Sequence, residues 1–161
     1  MAPVCVALVL SALAGATLGL PVLAQKPSTP ASTGARFKAC AILSRDEVKK
    51  IVPWRPENDG EKEYEQPVGG GSACVYPSTA FTVYNNPDSR IDAARKHGPL
   101  IPVAGIGDAA FLQERKGWVE LYVKVGDRMV QITNIIPFGG TFESVTPPMV
   151  ALGKVLVAKL R

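Results

Sequence analysis

Trp118-Val119-Glu120-Leu121-Tyr122-Val123-Lys124-Val125, then Gly126-Asp127, then Arg128-Met129-Val130-Gln131-Ile132-Thr133-Asn134-Ile135-Ile136, is the stretch from which the architecture unfolds. Both flanks alternate apolar and polar residues, and Gly126-Asp127 supplies the two-residue turn of a β-hairpin. Such a turn sets Val125 opposite Arg128, Val123 opposite Val130 and Leu121 opposite Ile132. These apolar pairs share one face, with Val119 alongside. The other face carries Glu120, Tyr122 and Lys124 against Thr133, Gln131 and Met129. One buried face and one wetter face predict an antiparallel sheet covered on one side.

Outward from the hairpin, Ala109–Glu114, Ser72–Tyr76 and Ala80–Tyr84 also read as strands. Asp88 is expected to cap a short helix, Ser89–His97, closed by Gly98 and Pro99. Further upstream, Leu43-Ser44-Arg45-Asp46-Glu47-Val48 combines a capping box, Ser44 with Glu47, and a hydrophobic staple, Leu43 with Val48. That helix runs to about Ile51 and stops at Pro53. Residues 53–71 are polar and acidic and end in Gly69-Gly70-Gly71, which predicts a long surface loop and a flexible turn. At the C-terminus, Thr146 caps a helix with Pro147 at its first position. Met149, Leu152, Leu156 and Leu160 form its apolar stripe, and Lys154, Lys159 and Arg161 lie where the helix dipole favours cations. The expected fold is α+β: a mainly antiparallel sheet of about five strands, two or three helices packed on one face, and one disulfide.

Residues 1–24 contain no Asp, Glu, Lys or Arg and read as a signal peptide, with Val22 and Ala24 before a cleavage point at Gln25. The lack of a basic n-region leaves an uncleaved N-terminal membrane anchor as the alternative. Pro, Ser and Thr make 25–36 a tether, and 37–161 forms the single domain. An exported protein, periplasmic or secreted, follows, with no membrane span once the signal is removed. Cys5 leaves with the signal, so Cys40 and Cys74 remain and should be joined in an oxidising compartment; two buried free thiols are the alternative. The net charge of +4 is mild, and the basic residues are scattered. Nucleic-acid binding wants a denser basic stripe.

Cys40-Ala41-Ile42-Leu43-Ser44 with Glu47-Val48, Cys74-Val75-Tyr76, and Gly105-Ile106-Gly107-Asp108-Ala109-Ala110-Phe111 resemble one family. It comprises small exported bacterial proteins and lipoproteins whose biochemical role is uncharacterised. The resemblance covers roughly 37–161 and implies an envelope location and a Cys40–Cys74 pair. It implies no activity. The lipoprotein members carry a Cys at the cleavage site; this chain lacks one, which favours a soluble or secreted form over a lipid anchor.

Several motifs have competing readings. Gly105–Ala110 fits G-x-G-x-x-[GA], but no helix is expected after it, so a turn entering a strand is preferred and no cofactor is assigned. Gln66-Pro67-Val68-Gly69-Gly70 matches Q-x-V-x-G, the wedge of cystatin-like protease inhibitors, although Pro53-Trp54 precedes it where a second wedge would follow. His97 is the sole histidine and no G-x-S-x-G elbow exists, so no catalytic residue and no metal site is assigned. Glu57, Asp59, Glu61, Glu63 and Glu65 read as a solvated loop; the hydrolase alternative would use a pair of them. Trp54, Tyr64 and Tyr122 are the candidate binding surface. The expected function is a non-enzymatic binding module for a small ligand or an envelope protein. The alternatives are a protease inhibitor using Gln66–Gly70 and an uncharacterised hydrolase.

Overall fold

The computed structural model describes residues 38–161, apart from positions 53 and 55. The signal peptide, the tether, Phe37 and the stop at Pro53 lie outside the described residues. A 3-10 turn, Ala39–Ala41, leads to helix α1, Arg45–Ile51. Strands β1 (Tyr64–Val68), β2 (Gly71–Val75) and β3 (Thr79–Tyr84) follow, then helix α2 (Pro87–Arg95). Strands β4 (Ile101–Pro102), β5 (Ala109–Arg115), β6 (Trp118–Val125) and β7 (Arg128–Ile135) precede helix α3 (Phe142–Leu160).

The sheet order is β1-β2-β3-β7-β6-β5-β4, with every neighbouring pair antiparallel. Two meanders therefore meet where β7 returns to pair with β3 in the middle of the sheet. The β6–β7 hairpin has the register its turn predicts, with Val125 opposite Arg128, Val123 opposite Val130 and Leu121 opposite Ile132.

Seven strands replace the expected five or so. The two extra strands, β1 and β4, are the sheet's edges. β1 is exposed along almost its whole length and carries Pro67, so no alternation marks it. An edge strand needs hydrogen bonds on one side only and tolerates a proline. The stretch read as a surface loop to position 71 thus contains half of the β1–β2 hairpin.

Helices cover both faces, not one. The inward face of β3, β6 and β7 presents Phe81, Leu121 and Ile132, which pack in one core with Val48 of α1 and with Met149, Leu152 and Leu156 of α3. The opposite face carries Tyr84, Tyr122 and Met129, packed with Ile91 and Ala94 of α2. Gln113 ties α2 down: its Nε2 donates to the carbonyls of Ala94 (3.0 Å) and Gly98 (2.9 Å). The alternation seen in the sequence is present, but α2 dries part of the face expected to be wet.

The Ser44–Glu47 capping box of α1 forms as its sequence requires. The other two helices begin earlier than expected. Asn86 caps α2, accepting the Ser89 amide hydrogen at 3.3 Å, with Pro87 at the first position. Asp88 falls in the first turn, where the dipole favours it. Thr141 caps α3 in a reciprocal pair with Ser144, so Pro147 and Pro148 lie in the second turn and not at the start. The cap signal, Thr141, lies six residues before Pro147. Cys40 and Cys74 are joined, with Cα atoms 4.9 Å apart. No helix among the described residues is long and apolar enough to cross a membrane.

Candidate functional site

Alternate residues of β7 point inward: Val130, Ile132, then Asn134. The first two are fully buried in the core. Asn134 is only 4% exposed and is the polar residue that follows them on this face. Thr79 and Val119 flank it across the sheet. Asn134 lies at the floor of a cleft of about 610 Å³, open at one end of the core. Small-molecule sites fall in the range of about 300–1,000 Å³.

Three walls rise from this floor. The β2–β3 turn contributes Pro77 and Ser78; the Ser78 carbonyl accepts the Ile135 amide at 3.1 Å, while its hydroxyl is buried without a partner. The first two turns of α3 contribute Ser144, Val145 and Pro148. Pro148 has no N–H, so the Ser144 carbonyl lacks its helical donor on this wall. The third wall holds Val52, Trp54, Glu57 and Asn58.

The third wall is fixed by α1. The Arg45 guanidinium donates to the carbonyls of Asn58 (3.3 Å), Asp59 (2.8 Å) and Glu61. It also lies 5.0 Å from the centre of the Trp54 ring. Trp54 Nε1 donates to Asp59 at 3.0 Å, and Lys49 pairs with the same carboxylate at 2.5 Å. The hydrogen bonds from Lys49 and Trp54 hold the Asp59 carboxyl below its ordinary pKa. An aromatic wall is thereby locked before any ligand arrives. At the rim, Ile135 is 57% exposed and Phe138 stands wholly in solvent.

No family model, curated protein or solved structure matches the chain.

The chemistry of the cleft therefore rests on its own geometry. Glu57 is the only ionisable group among the described lining residues. Around it the lining is mostly apolar, with Asn58, Ser78, Asn134 and Ser144 as its polar residues. Among the described lining residues no imidazole or second carboxylate stands by to activate the Ser78 hydroxyl. The arrangement can bind and orient a molecule.

Of the aromatics singled out in the sequence, the cleft takes Trp54 alone. Tyr64 lies exposed on edge strand β1. Tyr122 lies beneath α2, where its hydroxyl donates to Glu120 at 2.7 Å; Arg115 and Gln131 reach the same carboxylate at 2.8 and 3.0 Å. Burial, then the neighbouring carboxylate, pushes the Tyr122 phenol up. The acidic series is dispersed: Asp59 braces Trp54, Glu63 faces Arg45 at 4.0 Å, and Glu65 binds the 3-10 turn near the disulfide. His97 is exposed just beyond α2. Gly105–Asp108 turns directly into β5. The cleft's polar residues Asn58, Ser78, Asn134 and Ser144 went unmarked as site residues in the sequence. The signal for Asn134 was present: it is a polar residue on the inward face of the hairpin, after Val130 and Ile132.

Proposed function

We propose that this protein is an exported, non-enzymatic binding module whose cleft, floored by Asn134, takes a small and largely apolar ligand. The Ser78 hydroxyl, buried without a partner among the described residues in the lining of this cleft, carries the reading. Such a group costs free energy of about 1–3 kcal/mol, a cost that a ligand's polar group would relieve. The aromatic wall supplied by Trp54 and the absence of an activated nucleophile among the described lining residues support binding over turnover. Residues 1–24, the Cys40–Cys74 bond and the family resemblance support export. Native mass spectrometry of the protein purified from its own host tests this: a bound small organic mass is expected, lost in Trp54→Ala. Turnover of an envelope substrate, abolished by Ser78→Ala, would overturn it.

The inhibitor alternative has one observation in its favour, the exposure of Gln66–Pro67 and Gly69–Gly70 on the β1–β2 hairpin. Trp54, however, lies by the β2–β3 turn, at the other end of β2, where it cannot form a second wedge beside that hairpin. A papain-type protease left fully active by stoichiometric protein would remove the alternative.

A further inference from the structure

We infer that the ligand of this cleft is an alcohol, a hydroxyl on an apolar body, whose oxygen is held by the Ser78 hydroxyl and the Ser144 carbonyl. The inference rests on the binding reading above and adds the chemical class. Ser78 lies in the β2–β3 turn, and its hydroxyl is buried in the cleft lining without a partner among the described residues. A serine hydroxyl donates one hydrogen bond and can accept others.

The wall formed by α3 supplies the complement. A helical carbonyl takes its hydrogen from the residue four positions on, or three positions on in a tightened turn. For Ser144 those residues are Pro148 and Pro147, and neither has an N–H. The carbonyl points along the helix toward Pro148, and both Ser144 and Pro148 line the cleft. The Ser144 hydroxyl is already engaged with Thr141, donating to its carbonyl at 2.7 Å and accepting its amide hydrogen at 3.0 Å. What remains is a carbonyl whose helix cannot supply a donor.

A carbonyl only accepts, so the hydrogen must come from the ligand. One hydroxyl serves both groups: it accepts from Ser78 Oγ and donates to the Ser144 carbonyl. An ether oxygen serves only the first. The body of the ligand lies against Trp54, Ile136, Val145 and Pro148, which are hydrocarbon or aromatic surfaces.

The test uses two isomers, octanol and heptyl methyl ether, of which only the alcohol carries a donor. Each is titrated into the protein purified from its host and delipidated. Wild type should bind octanol about tenfold more tightly than the ether. Pro148→Ala gives the Ser144 carbonyl a helical N–H, so it should weaken octanol about tenfold, leave the ether nearly unchanged and erase the preference. Ser78→Ala should weaken both probes severalfold, because each offers an oxygen to that hydroxyl. Trp54→Ala should weaken both alike. Equal affinity of wild type for the isomers, a preference that survives Pro148→Ala, or octanol affinity unchanged in Ser78→Ala overturns the ligand class. If Trp54→Ala still weakens both probes, the cleft stands as a binding site. Failure of both probes to bind wild type, or binding that Trp54→Ala leaves unchanged, overturns the ligand class and the cleft together.

Discussion

The Glu65 carboxylate accepts the backbone N–H of Cys40 at 2.9 Å, while Glu65 itself sits opposite Cys74, the residue to which Cys40 is bonded. A charge-assisted hydrogen bond and a disulfide thus fasten the same 3-10 turn to the same strand pair. Ala39 adds a second amide at 2.7 Å, and Ser72 donates to the carboxylate as well. The two fastenings make separate predictions.

Replacing both Cys40 and Cys74 by Ala opens a loop of 34 residues. Chain entropy then puts the loss at roughly 3–4 kcal/mol, seen as a lower urea midpoint. Wild type in reductant should match the double variant. An unchanged midpoint in both would show that the remaining contacts of the turn suffice.

Glu65 predicts an acid limb. Burial alone would raise its carboxyl, but hydrogen bonds from Ser72 and from the Cys40 and Ala39 amides outweigh that and hold it below 4.5. Glu47 is lowered further, to about 2, by Lys159 and by the Ser44 cap. A carboxyl whose folded pKa is depressed contributes stability above its unfolded value, and that contribution fades as pH falls through the folded one. Stability should therefore hold down to about pH 4.5 and decline between there and pH 2. Glu65→Gln should lose about 1–2 kcal/mol at neutral pH and flatten this limb. Urea midpoints measured from pH 7 to pH 2 decide it.

Gly107 should tolerate no side chain. Its φ of +58° lies in the left-handed region, and a Cβ there would strike the Lys124 carbonyl oxygen and come within 2.7 Å of Val123 Cγ1. Close approach is what lets Asp108 donate its amide to that same carbonyl at 2.8 Å. Gly107→Ala should cost ~3 kcal/mol or more, from strain and overlap together. Gly105→Ala is the control: its φ is +78° but it has open space around it, so only the strain remains. Thermal unfolding of the pair separates the two contributions.

Glu120 receives three donors, from Tyr122, Arg115 and Gln131, and is 8% exposed. Glu120→Ala leaves a half-buried guanidinium and a phenol without their acceptor. About 2–4 kcal/mol should be lost, while Tyr122→Phe should lose only about 1. Comparable losses for the two variants would contradict the central place given to the carboxylate.

Legibility followed local physics. The β6–β7 hairpin and α1 were legible because a two-residue turn fixes register and a capping box fixes a start, both within a few residues. The starts of α2 and α3 misled for the same reason: Asp88 and Pro147 are valid local signals, but Asn86 and Thr141 make the caps. Edge strands β1 and β4 were invisible because neither buries an alternating face. The side on which α2 packs depends on Gln113 reaching Ala94, a contact 19 positions apart that no local pattern encodes. The cleft is assembled from the β2–β3 turn, the end of β7, the start of α3 and the segment near Trp54. Of these, only Trp54 drew attention, as an aromatic; the polarity of Asn134 has meaning only once its neighbours are known to be dry.

That dryness yields the last prediction, which concerns the hydroxyl that the cleft leaves buried and unpartnered. Ser78 Oγ has no hydrogen-bond partner among the described residues, while the Ser78 carbonyl accepts the Ile135 amide at 3.1 Å. Alanine removes the hydroxyl and keeps that backbone contact. Ser78→Ala should therefore stabilise the empty protein, by about 1 kcal/mol. Proteins commonly keep such costs where function needs them. Pro148→Ala makes the companion case on the facing wall: it restores an N–H to the Ser144 carbonyl, so it should also raise the melting temperature. A structural role for the Ser78 hydroxyl predicts the reverse sign, a loss of stability on substitution. Melting temperatures of wild type and the two variants, measured side by side, distinguish the two.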